Sequence, residues 1–537
     1  MPERGRRRPT GVGRIVVAQC AAVAVWVASA AGGVPWWVAV SAGVLTAALL
    51  SVRIRGRGVL DLAVILVRYR FPARREPGDL RDFPQSTGRP VGLRWDGTTV
   101  STVVEVLPPP GIVTRIGRDG SDSEITLPVA AIGACLRRHD VVLDGIDVIA
   151  HGRRVLDATP AGQVYSRLVG PLPAAATRTV WVVVRLDAAA TPDAVERRGG
   201  GADGAARTVI ASTHRVVRTL GESGCAARIL SSSEIRGAIG RVSHGADPFD
   251  ARASWRHVQL PVGFNTGGVV DPRRIDAASL SRVWTVPSLS TTTVLRLRPG
   301  AGGSIRVGAH SRFTSRTPDG PDLGGVRPHH GRHRDMFLAS LPCGIGGLED
   351  VTAQGSVPDL DELAFPVAGC GQLIGSDGSG RAVAARLTGP GVRSVYIAGE
   401  LYLAQQIVFR AVAVGARVLV HTDRPDSWRP LLGGAAGPDR LRIAGEHPGD
   451  REFDTVVHDG IAPLPSESHA TVVHVHTRPD TWPRDRPTVS IVQPNAAGDR
   501  IVLTARGRRT ALTLVTIAAE TAHIGRPRAV SDRVAAH

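Results

Sequence analysis

Two apolar runs near the amino terminus constrain this chain before anything else does. "IVVAQCAAVAVWVASAA" (15–31) and "VPWWVAVSAGVLTAALLSV" (34–52) carry no charged residue, and only Gly32 and Gly33 separate them. About 20 apolar residues match the hydrocarbon core of a bilayer, so the pair predicts a two-helix transmembrane hairpin. Arg4, Arg6, Arg7, Arg8 and Arg14 precede it; Arg53, Arg55 and Arg57 follow it. Arginine on both outer flanks and none in the turn predicts a multi-pass inner-membrane protein whose two ends are cytoplasmic. Ala28-Ser29-Ala30 also fits a signal-peptidase site. Removing the first run would still leave the second as a stop-transfer helix, with the large domain on the same side.

Behind the second run, "GVLDLAVILVRYRFPARR" is too short to cross and contains Asp61. It reads as a juxtamembrane helix over 59–70, lying along the interface beside Arg68, Arg70, Arg74 and Arg75. These four, with Arg53, Arg55 and Arg57, form an expected belt of contacts to anionic lipids. The charge balance agrees. Residues 1–75 hold twelve arginines against Glu3 and Asp61, a surplus of ten within the net +17 of the whole chain. A nucleic-acid binder would carry that surplus as a stripe on its folded domain, so nucleic acid is not expected as a partner.

All 65 basic residues are arginine. Without lysine there can be no GxxxxGK[ST] phosphate loop. The five cysteines, at 20, 135, 225, 343 and 370, are widely spaced and odd in number. That excludes a zinc ribbon or a disulfide framework and fits a reducing compartment.

Beyond a Pro/Gly-rich linker (76–90), the pattern is mixed α/β in two or three lobes: 91–260, a variable middle segment 261–362, and 363–537. "VGLRWDGTTVSTVVEV" reads as strand, Asp-Gly turn, strand. "TVWVVVRLD" is an unbroken β-branched run suited to a buried strand. "TTTVLRLRPG", alternating threonine, leucine and arginine, reads as an edge strand. "LYLAQQIVFRAVAVGARVLVHTDRPDSW" reads as helix, glycine stop, strand and a polar loop holding His421, Asp423 and Arg424.

Candidate sites are few. Arg197, Arg198, Gly199, Gly200 and Gly201 sit at the start of a predicted helix, where backbone N–H groups and guanidinium groups could meet an anion or a partner's carboxylate. Asp359 and Asp361 form a D-x-D, the pattern by which glycosyltransferases hold a metal–nucleotide sugar. They carry the alternative reading, a membrane-tethered enzyme of that type. His329, His330, His333 and Asp335 could ligate a metal, but the intervening arginines oppose a cation. HExxH and GxSxG are absent. No catalytic residue, cofactor or metal site is therefore expected.

Taken in order, "GLRWDG…STVVEV" (92–106), "DVIAHGRR" (147–154), "ERRGGGADGAARTVIASTHRV" (196–216) and "GELYLAQQIVFRAVAVGARVLVHTDRPDSWRPL" (399–431) resemble the EccE family of ESX type VII secretion. The resemblance is densest over 92–225 and 365–431 and thinnest over 300–360. It implies a non-catalytic structural subunit of an inner-membrane hetero-oligomer, with EccB, EccC, EccD and the mycosin protease as associates. EccC carries the ATPase modules of that system, consistent with the missing phosphate-loop lysine here.

Overall fold

The computed structural model describes residues 11–528 except 52, 55–56, 74, 86–87, 119, 157–158, 358, 446–452 and 463–469. The chain divides into two units, 1–75 and 76–537.

In the first unit, helices Gly11–Ala31 and Trp36–Ser51 are joined by a turn in which the Gly32 N–H donates to the Ala28 carbonyl at 3.1 Å. They pack closely at Gly43, where a Cβ would lie 3.1 Å from the Ala22 carbonyl oxygen. A two-residue ladder, Arg53–Ile54 against Arg57–Gly58, precedes a third helix, Val59–Arg70. The expected transmembrane hairpin is overturned: among the described residues no helix is long and apolar enough to cross a membrane. The apolar run at 34–52 overstated the helix, because Val34 and Pro35 belong to the turn. The 16 residues of Trp36–Ser51 rise about 24 Å, short of a hydrocarbon core of roughly 30 Å. In Gly11–Ala31 the described side chains begin at Gln19 and so cover only 13 residues.

The second unit is built on two large sheets. The first has eleven strands, all paired antiparallel. Its centre runs Ile305–Ser315, Ser290–Pro299, Gly145–Arg153, Thr177–Asp187, Thr99–Leu107. The hairpin Val91–Asp96/Thr99–Leu107 forms at the Asp-Gly turn, with Asp96 opposite Thr99. Both faces of the centre are covered, which is why residues 180–184 of Thr177–Asp187 are apolar without a break. Val182 and Val184 pack with Ala205, Val209 and Val216 of helix Gly201–Glu222. Their neighbours Trp181 and Val183 face the other way, toward Ile235, Ala238 and Val242 of helix Ser232–Ser243.

Ser290–Pro299 was expected at an edge and lies in the interior, hydrogen-bonded on both sides. Its arginines are buried rather than solvated. Arg298 Nη1 lies 2.6 Å from Asp147 Oδ1, and Arg296 Nε lies 3.5 Å from the same atom. Burial alone would raise the Asp147 carboxyl's pKa; Arg298, Arg296 and Arg185 outweigh it and hold the group well below the usual carboxylate range.

The second sheet has twelve strands. Half is parallel: Leu441–Ile443, Val418–Thr422, Thr455–Asp459, Thr471–His476, Ser394–Ala398, Val489–Val492. An antiparallel half continues through Arg500–Ala505, Arg508–Leu514, Gln372–Ser376 and Ala382–Ala385 to Val113–Ile116 and Ser121–Ser123. Those last two strands leave the early part of the chain to finish the second sheet. Helix Leu401–Ala413 is buried from Tyr402 to Ala413, with Arg410 wholly enclosed.

Candidate functional site

Helix Gly201–Glu222 presents an arginine-bearing face to solvent. Apolar residues recurring at 205, 209, 216 and 220 turn one side onto the first sheet. There the Thr213 hydroxyl meets that of Thr102 at 2.6 Å. The opposite side leaves Arg207, His214 and Arg218 exposed and Arg215 half-buried. Arg138, exposed on the small hairpin Arg137–Arg138/Val141–Val142, and Arg198 lie close enough to act on Arg215 electrostatically. Burial lowers the pKa of Arg215, and Arg138, Arg198 and Arg218 lower it further.

The helix begins in the three-glycine turn. Gly199, Gly200 and Gly201 have φ of 107°, 68° and 56°, a left-handed reversal open to glycine without strain. It folds helix Pro192–Glu196 back against the next one so closely that a Cβ on Gly204 would lie 2.4 Å from the Val195 carbonyl oxygen. Arg197 and Arg198, on this turn, converge on one carboxylate. Arg197 reaches Asp140 Oδ2 from Nη2 at 3.0 Å and Nε at 3.2 Å, and Arg198 Nη1 reaches it at 2.9 Å. Arg198 beside it holds the Asp140 carboxyl well below the usual range. Both arginines are thus oriented by the chain itself, and the Arg197 side chain remains 59% exposed.

Arginine keeps its proton and presents a rigid donor fork. An oriented array of such groups suits recognition of carboxylates or phosphates and not proton transfer. Arg207, Arg215 and Arg218 escaped the sequence reading, although their 8- and 3-residue spacing on a helix was the signal that could have found them.

The other sequence candidates are not brought together. Asp359 Oδ1 accepts the Asp361 N–H at 2.8 Å in a local exposed turn. Asp335 is tied to Arg332 at 2.9 Å, and Arg332 also reaches Asp350 at 2.7 Å. Among the described residues no group of three or more His, Cys, Asp or Glu side chains could hold a metal. The polar loop after Val418–Thr422 closes the sheet. Arg424 Nη2 and Nε bind Asp459 at 2.5 and 2.9 Å, and Trp428 Nε1 and Thr422 Oγ1 donate to the same carboxylate at 2.8 and 2.9 Å. His421 stacks on His458, and His458 on His474, at 5.3 and 5.7 Å.

Of the expected lipid belt, Arg68 and Arg70 are exposed and Arg75 is half-buried. Arg55 and Arg74, and the side chains of Arg53 and Arg57, lie outside the described residues. Helix Val59–Arg70 exposes Val64, Leu66 and Val67.

Residues 174–267, which include the three-glycine turn and helix Gly201–Glu222, match the family EccE, described as a proposed type VII ESX secretion system translocon. The chain is similar to the ESX-5 secretion system protein EccE5 of Mycobacterium marinum, 27% identical over 355 residues, 62% of this chain and 86% of that one. It is equally similar, at 27% over 390 residues, to the ESX-1 secretion system protein EccE1 of Mycolicibacterium smegmatis, covering 71% of this chain and 76% of the relative. EccE5 of Mycobacterium tuberculosis is 28% identical over 358 residues, 62% and 86% of the two chains.

Proposed function

Since the chain belongs to the EccE family, we propose that it is a non-catalytic structural subunit of an ESX type VII secretion machine. The observation that carries this is the match to ESX secretion proteins along most of their length, 86% of EccE5 and 76% of EccE1. The subunit works in a membrane complex with EccB, EccC, EccD and the mycosin protease, and helps that assembly form or persist. The arginine face on helix Gly201–Glu222, with Arg197 and Arg198 fixed on Asp140, supports a docking role toward an acidic partner surface. Nothing in the comparisons suggests a glycosyltransferase, and the local turn at Asp359 and Asp361 leaves that alternative without a metal site among the described residues.

The large unit works on the cytoplasmic side, a reading supported by its four free thiols, all of them buried. Helix Val59–Arg70, apolar on exposed Leu66 and Val67 and basic at Arg68 and Arg70, lies on the anionic leaflet and keeps the subunit at the membrane surface.

The test is affinity purification of the tagged full chain in mild detergent, native and with Arg197, Arg207 and Arg218 changed together to Glu. The native chain should bring down a membrane ATPase in stoichiometric amount, and the charge-reversed chain should lose it while remaining folded. Recovery of the native chain alone would refute the structural-subunit reading. Undiminished recovery with the variant would refute only the docking face.

A further inference from the structure

Between the two sheets of the large unit, a cavity of about 240 Å³ is lined by Arg178, Ser281, Trp284, Leu280, Phe365 and Gly120. Its charge is unbalanced. The Arg178 guanidinium lies over the Trp284 ring, 4.2 Å from the ring centre. It donates from Nη1 to the Pro366 carbonyl at 3.5 Å, while Nε is buried without a partner. Among the described residues no carboxylate pairs with it. Across the same space, the Ser281 hydroxyl oxygen is buried and also without a partner. The Arg178 Nε and the Ser281 hydroxyl oxygen are buried atoms left unsatisfied on half-buried side chains, each at a cost in stability, and a bound anion would satisfy both. Burial lowers the pKa of the guanidinium to about 10, the direction expected of a charge awaiting a counter-ion.

Apart from Ser121, the rest of the wall is apolar: an indole, a phenyl ring and a leucine, with Ala277, Ala278 and Ala364 leaving flat space. An apolar cavity of about 150 Å³ already accepts benzene, so this one has room for a ring bearing one acidic group. It falls below the roughly 300–1,000 Å³ usual for drug-sized ligands.

We propose that this cavity is a binding site for a small aromatic carboxylate, its acid group held by Arg178 and Ser281 and its ring against Trp284 and Phe365. The site goes beyond the secretion role and stands independently of it. A charge-assisted pair with a guanidinium is the contact that separates an acid from its neutral isostere.

The probes are 4-fluorobenzoate and neutral 4-fluorobenzamide, titrated against the purified full chain and followed by fluorine NMR. The acid should bind saturably and the amide about 10- to 100-fold more weakly, the range expected for a hydrogen bond to a charged group. Arg178→Gln should reduce binding of the acid to the level of the amide. Gly120→Leu, whose Cβ has room at 3.8 Å from the Ser281 hydroxyl, should block both probes by adding bulk to the wall. It also serves where Arg178→Gln fails to fold. Equal binding of acid and amide, or binding untouched by either substitution, would overturn the proposal.

Discussion

Neutralising Glu520 should destabilise the second sheet more than any surface change. Helix Leu401–Ala413 carries Arg410 into the core, where both Arg410 and Glu520 are buried to 1% exposure or less. Arg410 Nε and Nη2 bind the two carboxylate oxygens at 2.7 Å each. Nη1 donates to the Leu373 carbonyl at 2.9 Å and Nη2 to that of Val515 at 2.5 Å. Glu520→Gln keeps the shape and removes the counter-charge. Breaking one side of a buried pair costs about 3–5 kcal/mol, because the remaining charge stays enclosed. Arg410→Met with Glu520→Leu removes both charges and takes the Arg410 donors from the Leu373, Ile374 and Val515 carbonyls; Val515 keeps Gln406 Nε2 at 3.5 Å, so two carbonyls lose their side-chain donor, at about 1 kcal/mol each. The double variant should therefore lie within about 2 kcal/mol of the native chain and well above the single one. Urea unfolding of the full chain, followed by circular dichroism and tryptophan fluorescence, reads the difference; Trp428 reports from the same core. A Glu520→Gln cost below about 1 kcal/mol, or a double variant no better than the single, would refute the buried-charge reasoning.

Acid should weaken the fold through histidines buried neutral. Burial, and then the Arg296 and Arg312 charges, push His310 down to about 3, and burial with His421 and His474 pushes His458 to about 4. Each contributes stability that is complete above the unfolded value of about 6.5 and is lost as pH falls toward the folded one. Unfolding at pH 5 against pH 7 should show a loss of about 2 kcal/mol per histidine, and His310→Gln should flatten the profile. Gly204→Ala should cost about 1–3 kcal/mol and open the 197–201 turn to protease, since its Cβ meets the Val195 carbonyl oxygen. Asp140→Asn should leave stability little changed, as an exposed ion pair does, yet strengthen recovery of an acidic partner by freeing Arg197 and Arg198. Unchanged recovery would separate those arginines from docking.

What could be read in advance was local. The Asp96-Gly97 turn and the unbroken Thr177–Asp187 run carry their meaning within a few residues, and the strands form there. Features set by distant partners misled. Leu295 and Leu297 alternating with Arg296 and Arg298 looked half-solvated because Asp147, on a strand far away in sequence, was invisible. Arg197 and Arg198 looked open for the same reason, with Asp140 hidden on another hairpin. The apolar run at 34–52 was continuous in composition, but the turn claimed its first residues and the helix came out short.

Net charge misleads in a related way. Among the described residues eight arginines are buried: Arg94, Arg154, Arg185, Arg296, Arg298, Arg312, Arg332 and Arg410. Only four acidic side chains, Glu105, Asp147, Asp459 and Glu520, are buried with them. The surface is therefore less basic than the formal +17 suggests. Several of these guanidinium groups are held by carbonyls: Arg312 Nη2 donates to Val242 at 3.0 Å, and Arg296 Nη1 to Leu348 at 2.6 Å. These carbonyls take only part of each fork, since Arg312 Nε and Nη1 and Arg296 Nε stay without a hydrogen-bond partner; the weakly hydrated guanidinium tolerates this better than a lysine ammonium, a strongly hydrated point charge. The surplus that reaches a partner is then the surplus left outside, at patches such as helix Gly201–Glu222. Long-range attraction scaled to the whole chain's charge would overstate it, so weakening by salt should follow the few arginines of that face.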